Sequence, residues 1–166
     1  MKVLVLAAVA ALSAACASVP PGTASEARLA SISYETGPCF GACPVYRVTV
    51  SADGEGRFEG RRFTAVTGER AFRITPQQFQ AFAQVLAPLR PAEAERRYSG
   101  EACDMMATDL PSTEVVWTDA DGSRRTLYFY HGCDMERNRP IAERLDAAPG
   151  ELPIGALIGA PGGMRG

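Results

Sequence analysis

Five cysteines and one histidine carry most of the chemistry open to this sequence. Cys16 stands alone near the N-terminus, Cys39 and Cys43 lie four residues apart, and Cys103 and Cys133 follow much later. A free thiolate is a nucleophile, a redox centre or a soft-metal ligand, whereas a bonded pair is a cross-link. His131 is the single imidazole, which excludes a His-rich metal site. As a general base it has no recognisable partner: no G-x-S-x-G element or other nucleophile elbow accompanies it. Asp104, Asp109 and Asp134 flank Cys103 and Cys133 and could gather around a cation, with capping and turn roles as the simpler account. Asp119-Ala120-Asp121-Gly122 fails as a calcium loop. Its glycine falls at the fourth place, where the loop needs one at the sixth, and Tyr130 holds the twelfth place in place of glutamate.

The compartment decides what the cysteines do. Met1-Lys2 followed by the apolar run Val3–Leu12 is a secretory h-region, too short to span a bilayer. Leu12-Ser13-Ala14-Ala15-Cys16 resembles the lipobox of bacterial lipoproteins. In that family the peptide is cut before the cysteine, which then carries acyl chains. Ser13 departs from the commoner leucine at its position, and Ala17 in place of Asp implies, by the same resemblance, passage to the outer membrane. The expected organisation is a signal peptide over 1–15 and a lipidated Cys16 with a flexible tether over 16–27. A single domain over 28–148 and a loose Gly/Pro-rich tail over 149–166 complete it.

After residue 15 the chain keeps 16 arginines, no lysine and 19 acidic residues, a net charge near −3. That balance excludes nucleic acid as a default partner and excludes a polybasic membrane patch. Without lysine, a Schiff base and a P-loop lysine are both impossible. Beyond Cys16 an even number of cysteines remains, which in an exported chain predicts disulfides. Proximity favours Cys39–Cys43 and Cys103–Cys133, with a crossed pairing and free thiols left open.

Period-two patterning predicts strands over Arg28–Tyr34, Val45–Ser51, Gly56–Arg62 and Glu69–Ile74, with Ala52-Asp53-Gly54 as a hairpin turn. Thr75-Pro76-Gln77-Gln78 opens a helix: Thr75 caps, Pro76 fits the first helical position, and Gln78 closes a capping box. Phe79, Phe82, Leu86 and Leu89 give that helix an apolar stripe for covering a sheet. A second hairpin pairs Glu114–Thr118 with Arg124–Tyr130, and a shorter helix follows around Pro140–Ala148. Trp117 alternates with Val115 and belongs to the core. Tyr128 and Tyr130 face away from Leu127 and Phe129, either as a binding surface or under a packed helix. Strands in runs without βαβ alternation predict an α+β fold with a mainly antiparallel sheet, built from two strand groups, covered by two helices and stapled by disulfides.

Gly37-Pro38-Cys39-Phe40-Gly41-Ala42-Cys43-Pro44-Val45-Tyr46 resembles the first motif of an uncharacterised bacterial family, domain of unknown function 6438. Thr108-Asp109-Leu110-Pro111, the Gly122 turn and Tyr130-His131-Gly132-Cys133 are also similar to it. The resemblance covers about residues 28–147 and implies an architecture without an activity. Cys39-x-x-x-Cys43-Pro44 is also similar in spacing to the copper-binding, thiol-active motif of the synthesis-of-cytochrome-oxidase proteins. That second resemblance implies a Cu(I) site of two thiolates and a distant histidine, here Cys39, Cys43 and His131. Against it, Cys43 runs directly into strand sequence, and no helix N-terminus is present to lower a thiol pKa.

The reading that results is a lipid-anchored, periplasm-facing protein, a non-catalytic binding or structural module with no cofactor. Its expected partner is the membrane through the anchor and not nucleic acid, with a protein or small-molecule ligand unidentified. The alternative is a copper-binding or thiol-disulfide redox protein.

Overall fold

Alternating burial along most of the strands gives one sheet a dry face and a wetter face. The computed structural model describes residues 28–159, so Cys16, the signal segment and the tether lie outside the described residues. The strands are β1 (Leu29–Thr36), β2 (Val45–Ser51), β3 (Glu55–Arg62), β4 (Gly68–Arg73), β5 (Glu95–Tyr98), β6 (Ser112–Asp119) and β7 (Arg124–Tyr130). They lie in the order β4-β3-β2-β1-β6-β7-β5. Every pairing is antiparallel except β5 with β7, which is parallel.

Ile32, Tyr34, Tyr46, Val48, Val50, Phe58, Val115, Trp117, Leu127 and Phe129 fill the dry face. On the opposite face Glu35 pairs with both Arg47 and Arg61, and Arg61 reaches Glu59 at 3.1 Å. Exposed pairs of this kind add little stability but keep the face soluble. Gly56 and Gly60 interrupt β3 for a steric reason. A Cβ on Gly56 would stand 2.5 Å from the Phe72 ring, and one on Gly60 would stand 1.9 Å from the Val66 carbonyl oxygen.

Helix α1 (Pro76–Leu86) begins with the expected capping box. Gln78 N–H donates to Thr75 Oγ1 at 3.2 Å, and Thr75 N–H donates to Gln78 Oε1 at 2.9 Å. Phe79, Phe82 and Leu86 are buried against the sheet, and Leu89 continues the stripe from a 3-10 turn. Both ends of α1 are tied to the end of the sheet where β1 begins. Ile74 N–H donates to Gly54 O at 3.0 Å, and Arg90 binds Asp119. Helix α2 (Met135–Ala147) lies toward the other end, where the Tyr34 hydroxyl donates to Leu145 O at 2.9 Å.

Three expectations change. Strand β5 is an addition: four residues, three of them charged, on a sheet edge, too short and polar to carry a period. Helix α2 starts five residues before Pro140, which lies inside it. Proline is best tolerated in a first turn, so its position had marked a helix start. Here Asn138 Nδ2 donates to Cys133 O at 2.8 Å and holds the earlier turn in place. The tail expected to be loose from residue 149 is packed as far as residue 159. Leu152 and Ile154 are buried in the core, and helix α3 (Gly155–Ile158) lies beside β3. Residues 65 and 66 donate backbone hydrogen bonds to Ile158 O and Leu157 O. Residues 160–166 lie outside the described residues.

Candidate functional site

The antiparallel register sorts the loops into two groups at opposite ends of the sheet. Arg28 and the turns after β2 and β6 occupy one end; Thr36, Val45, Arg62, Ser112 and Tyr130 mark the other. That second end carries every cysteine among the described residues. Cys39 is bonded to Cys43 and Cys103 to Cys133, with Cα separations of 5.8 and 5.3 Å.

The first bridge closes the β1–β2 loop, where Gly41 takes φ 136°. That loop is fastened to the segment before β6: Gly37 N–H donates to Ser112 O at 2.7 Å, and Phe40 N–H donates to Asp109 O at 3.1 Å. The second bridge joins the 103–111 segment to the end of β7, and Met106 pairs with Cys133 beside it. Ala107 N–H donates to Gly132 O at 2.9 Å, and a Cβ on Gly132 would stand 2.2 Å from Ala107 O. Only glycine permits this approach.

The aspartates do not gather around a cation. The Asp134 carboxylate accepts from Met105 N–H at 2.8 Å and Asp104 N–H at 3.2 Å. Those backbone hydrogen bonds, Met105 first, hold its pKa below the usual carboxylate range. Asp104 pairs with Arg137, and Asp109 accepts from the Thr108 hydroxyl at 2.9 Å. Tyr128 and Tyr130 are half-buried, though not under a helix. Arg97 of β5 lies 4.3 Å from the Tyr128 ring centre. The Tyr130 hydroxyl donates to Ala107 O at 2.9 Å and accepts from Leu110 N–H.

His131 is held on the dry face. Its N–H donates to Pro111 O at 3.0 Å, its ring meets Phe129 edge-on at 5.0 Å, and Nε2 lies 2.9 Å from Thr113 Oγ1. Desolvation lowers its pKa, and the charge of Asp146 opposes that only in part. Burial likewise raises the Tyr34 and Tyr46 pKa values, so both phenols stay protonated. Thr113 is 2% exposed, so its hydroxyl is not presented to a substrate, while His131 is half-buried. The copper arrangement of Cys39, Cys43 and His131 is not assembled. Both sulfurs are spent in a disulfide, and the imidazole Nε2 faces Thr113. Among the described residues no three His, Cys, Asp or Glu side chains are grouped to hold a metal ion.

Beside exposed charges such as Asp104 and Arg137, this end offers solvent several large apolar side chains. Phe40 is 88% exposed, Met105 72%, Met106 53%, Met135 53% and Phe63 51%. All the exposed large hydrophobic side chains among the described residues are therefore at one end. The residues with positive φ other than glycine, Phe63, Asp109 and Asp134, are there as well. Sequence periodicity could not place these side chains at one end, since they lie in loops and at a helix start. The available signal was apolar residues inside otherwise polar loops.

The fold and this end define an α+β domain with one mixed, mostly antiparallel sheet, helices on one face and two disulfides bracing the loops. Residues 30–148 match the family model "Domain of unknown function (DUF6438)", and the chain belongs to that family. No curated protein matches it.

Proposed function

We propose that this protein is a lipid-anchored binding module of the periplasm, held in the outer membrane through Cys16, whose disulfide-braced end docks a protein partner. The observation that carries the reading is the collection of Phe40, Met105, Met106, Met135 and Phe63 at the end opposite Arg28. Exposed apolar patches on rigid loops favour protein contacts, and methionine adapts to irregular partners. A tether over residues 16–27 spans at most ~40 Å and joins the domain at Arg28, the end opposite the exposed apolar side chains. Burial of Thr113, the hydrogen-bond partner of His131, favours binding over His131-based catalysis.

Metabolic labelling with a fatty-acid analogue tests the anchor. Wild type should take the label and Cys16→Ser should not; label retained in Cys16→Ser removes the anchor. In the same cells a photo-crosslinking residue at Met135 should give a discrete adduct, and one at exposed Glu143 should not. Equal behaviour at both positions removes the docking end.

A further inference from the structure

The opposite end of the molecule holds a second surface, a groove of about 460 Å³ beside α1. Leu29, Phe79, Ala83, Ala87 and Trp117 contribute its apolar lining. Its helical side runs from Pro76 to Ala87, which at the α-helical rise is roughly 17 Å. A groove of that length suits a chain better than a compact ring. Its width depends on Ala83 and Ala87, where larger side chains would fill it.

The charges at the groove have one sign. Arg28 and Arg90 line it, together with two glutamines, and no carboxylate does. Arg90 is paired with buried Asp119, but Asp119 also accepts from Arg125 at 3.0 Å. Asp119 is shared by two guanidiniums and Asp121 also lies within charge reach of Arg125, so the positive lining of the groove comes from Arg28 and Arg90 themselves. An exposed cation, Arg28, and a partly buried one, Arg90, beside an apolar channel complement an anionic head on an apolar tail.

We infer that this groove binds a single-chain anionic amphiphile, a long-chain fatty acid, with the acyl chain along α1 and the carboxylate toward Arg28 and Arg90. The site is separate from the docking end and does not depend on the anchor. Arg28 follows directly on the segment assigned as tether, so an anchored chain keeps this end within ~40 Å of the bilayer, where such amphiphiles concentrate.

Trp117 is the chain's single tryptophan and lines the groove, which makes it a built-in reporter. The test uses the full chain carrying Cys16→Ser, so that no acyl chain of its own is present. A long-chain fatty acid brominated mid-chain is titrated below its micellar concentration while Trp117 fluorescence is followed. Saturable quenching is expected, reversed by the same acid without bromine. Ala83→Phe should abolish it. Arg28→Glu, at an exposed position outside the core, should weaken it ~10-fold with the fold intact by circular dichroism. Absence of saturable quenching overturns the proposal, as does unchanged affinity in folded Ala83→Phe. Equal affinity for the brominated long-chain alcohol overturns the anionic part. Because the reporter is Trp117 in a chain without Cys16, failure here is distinguishable from failure of the labelling or crosslinking experiments.

Discussion

At His131 burial outweighs charge. Desolvation favours the neutral imidazole, while Asp146 draws the other way and the Thr113 hydroxyl supplies an uncharged partner at Nε2. The folded-state pKa therefore lies below the unfolded value of about 6.5. Below that value the unfolded chain binds more protons, so stability rises with pH across the window between the two pKa values. It is fully present above pH ~6.5 and declines as the pH falls through that window. Denaturant titrations at a series of pH values should show this decline in wild type and not in His131→Gln. A flat wild-type profile between about pH 7 and pH 5 excludes a neutral, desolvated His131. The residue identified it as the only imidazole; nothing local in the sequence told whether it faced solvent or the core.

Among the elements, the last hairpin depends most on a cross-link. Cys103 precedes it and Cys133 follows it, with a sequence separation of 30. Closing a loop of that length removes unfolded-state entropy worth ~3.7 kcal/mol, against ~2 kcal/mol for the five-residue loop of Cys39–Cys43. Cys103→Ala/Cys133→Ala should therefore lose about 2–4 kcal/mol in denaturant melts, and more than Cys39→Ala/Cys43→Ala. Equal losses, or peptide mapping that recovers Cys39 linked to Cys103 or Cys133, would sink the assignment. The strands were legible because Val45–Ser51 and Arg124–Tyr130 alternate cleanly, and α1 because Thr75, Pro76 and Gln78 agree on its start. Helix α2 was legible only in its second half. Pro140 gave a strong local signal, and the contacts that overrode it, Asn138 with Cys133 O and Asp134 with residues 104 and 105, are tertiary.

For the whole molecule, the core extends beyond the segment that the family model covers. The match ends at residue 148, yet Leu152 and Ile154 are 5% and 0% exposed. Burying each contributes ~1.5–3 kcal/mol, so removing residues 149–166 should cost roughly 3–6 kcal/mol, read as a lowered denaturant midpoint. An unchanged midpoint would mean that the tail does not share the core. Glycine and proline in Pro149–Gly159 suppress any helical period, and a segment held by two aliphatic anchors reads locally as linker.

The sequence by itself determined the sheet's inward face, the capped first helix and the pairing of neighbouring cysteines as the favoured one. These depend on period, cap chemistry and chain proximity, which are all local. Tertiary structure alone decided that Cys39 and Cys43 are bonded to each other and not grouped with His131, that the Tyr130 hydroxyl bonds to the 103–111 segment, and which residues line the groove beside α1. It also decided that Phe40, Phe63, Met105, Met106 and Met135, spread over more than ninety positions of the chain, share one end. Strand register brings those loops together, and register is a relation between segments that no single segment contains.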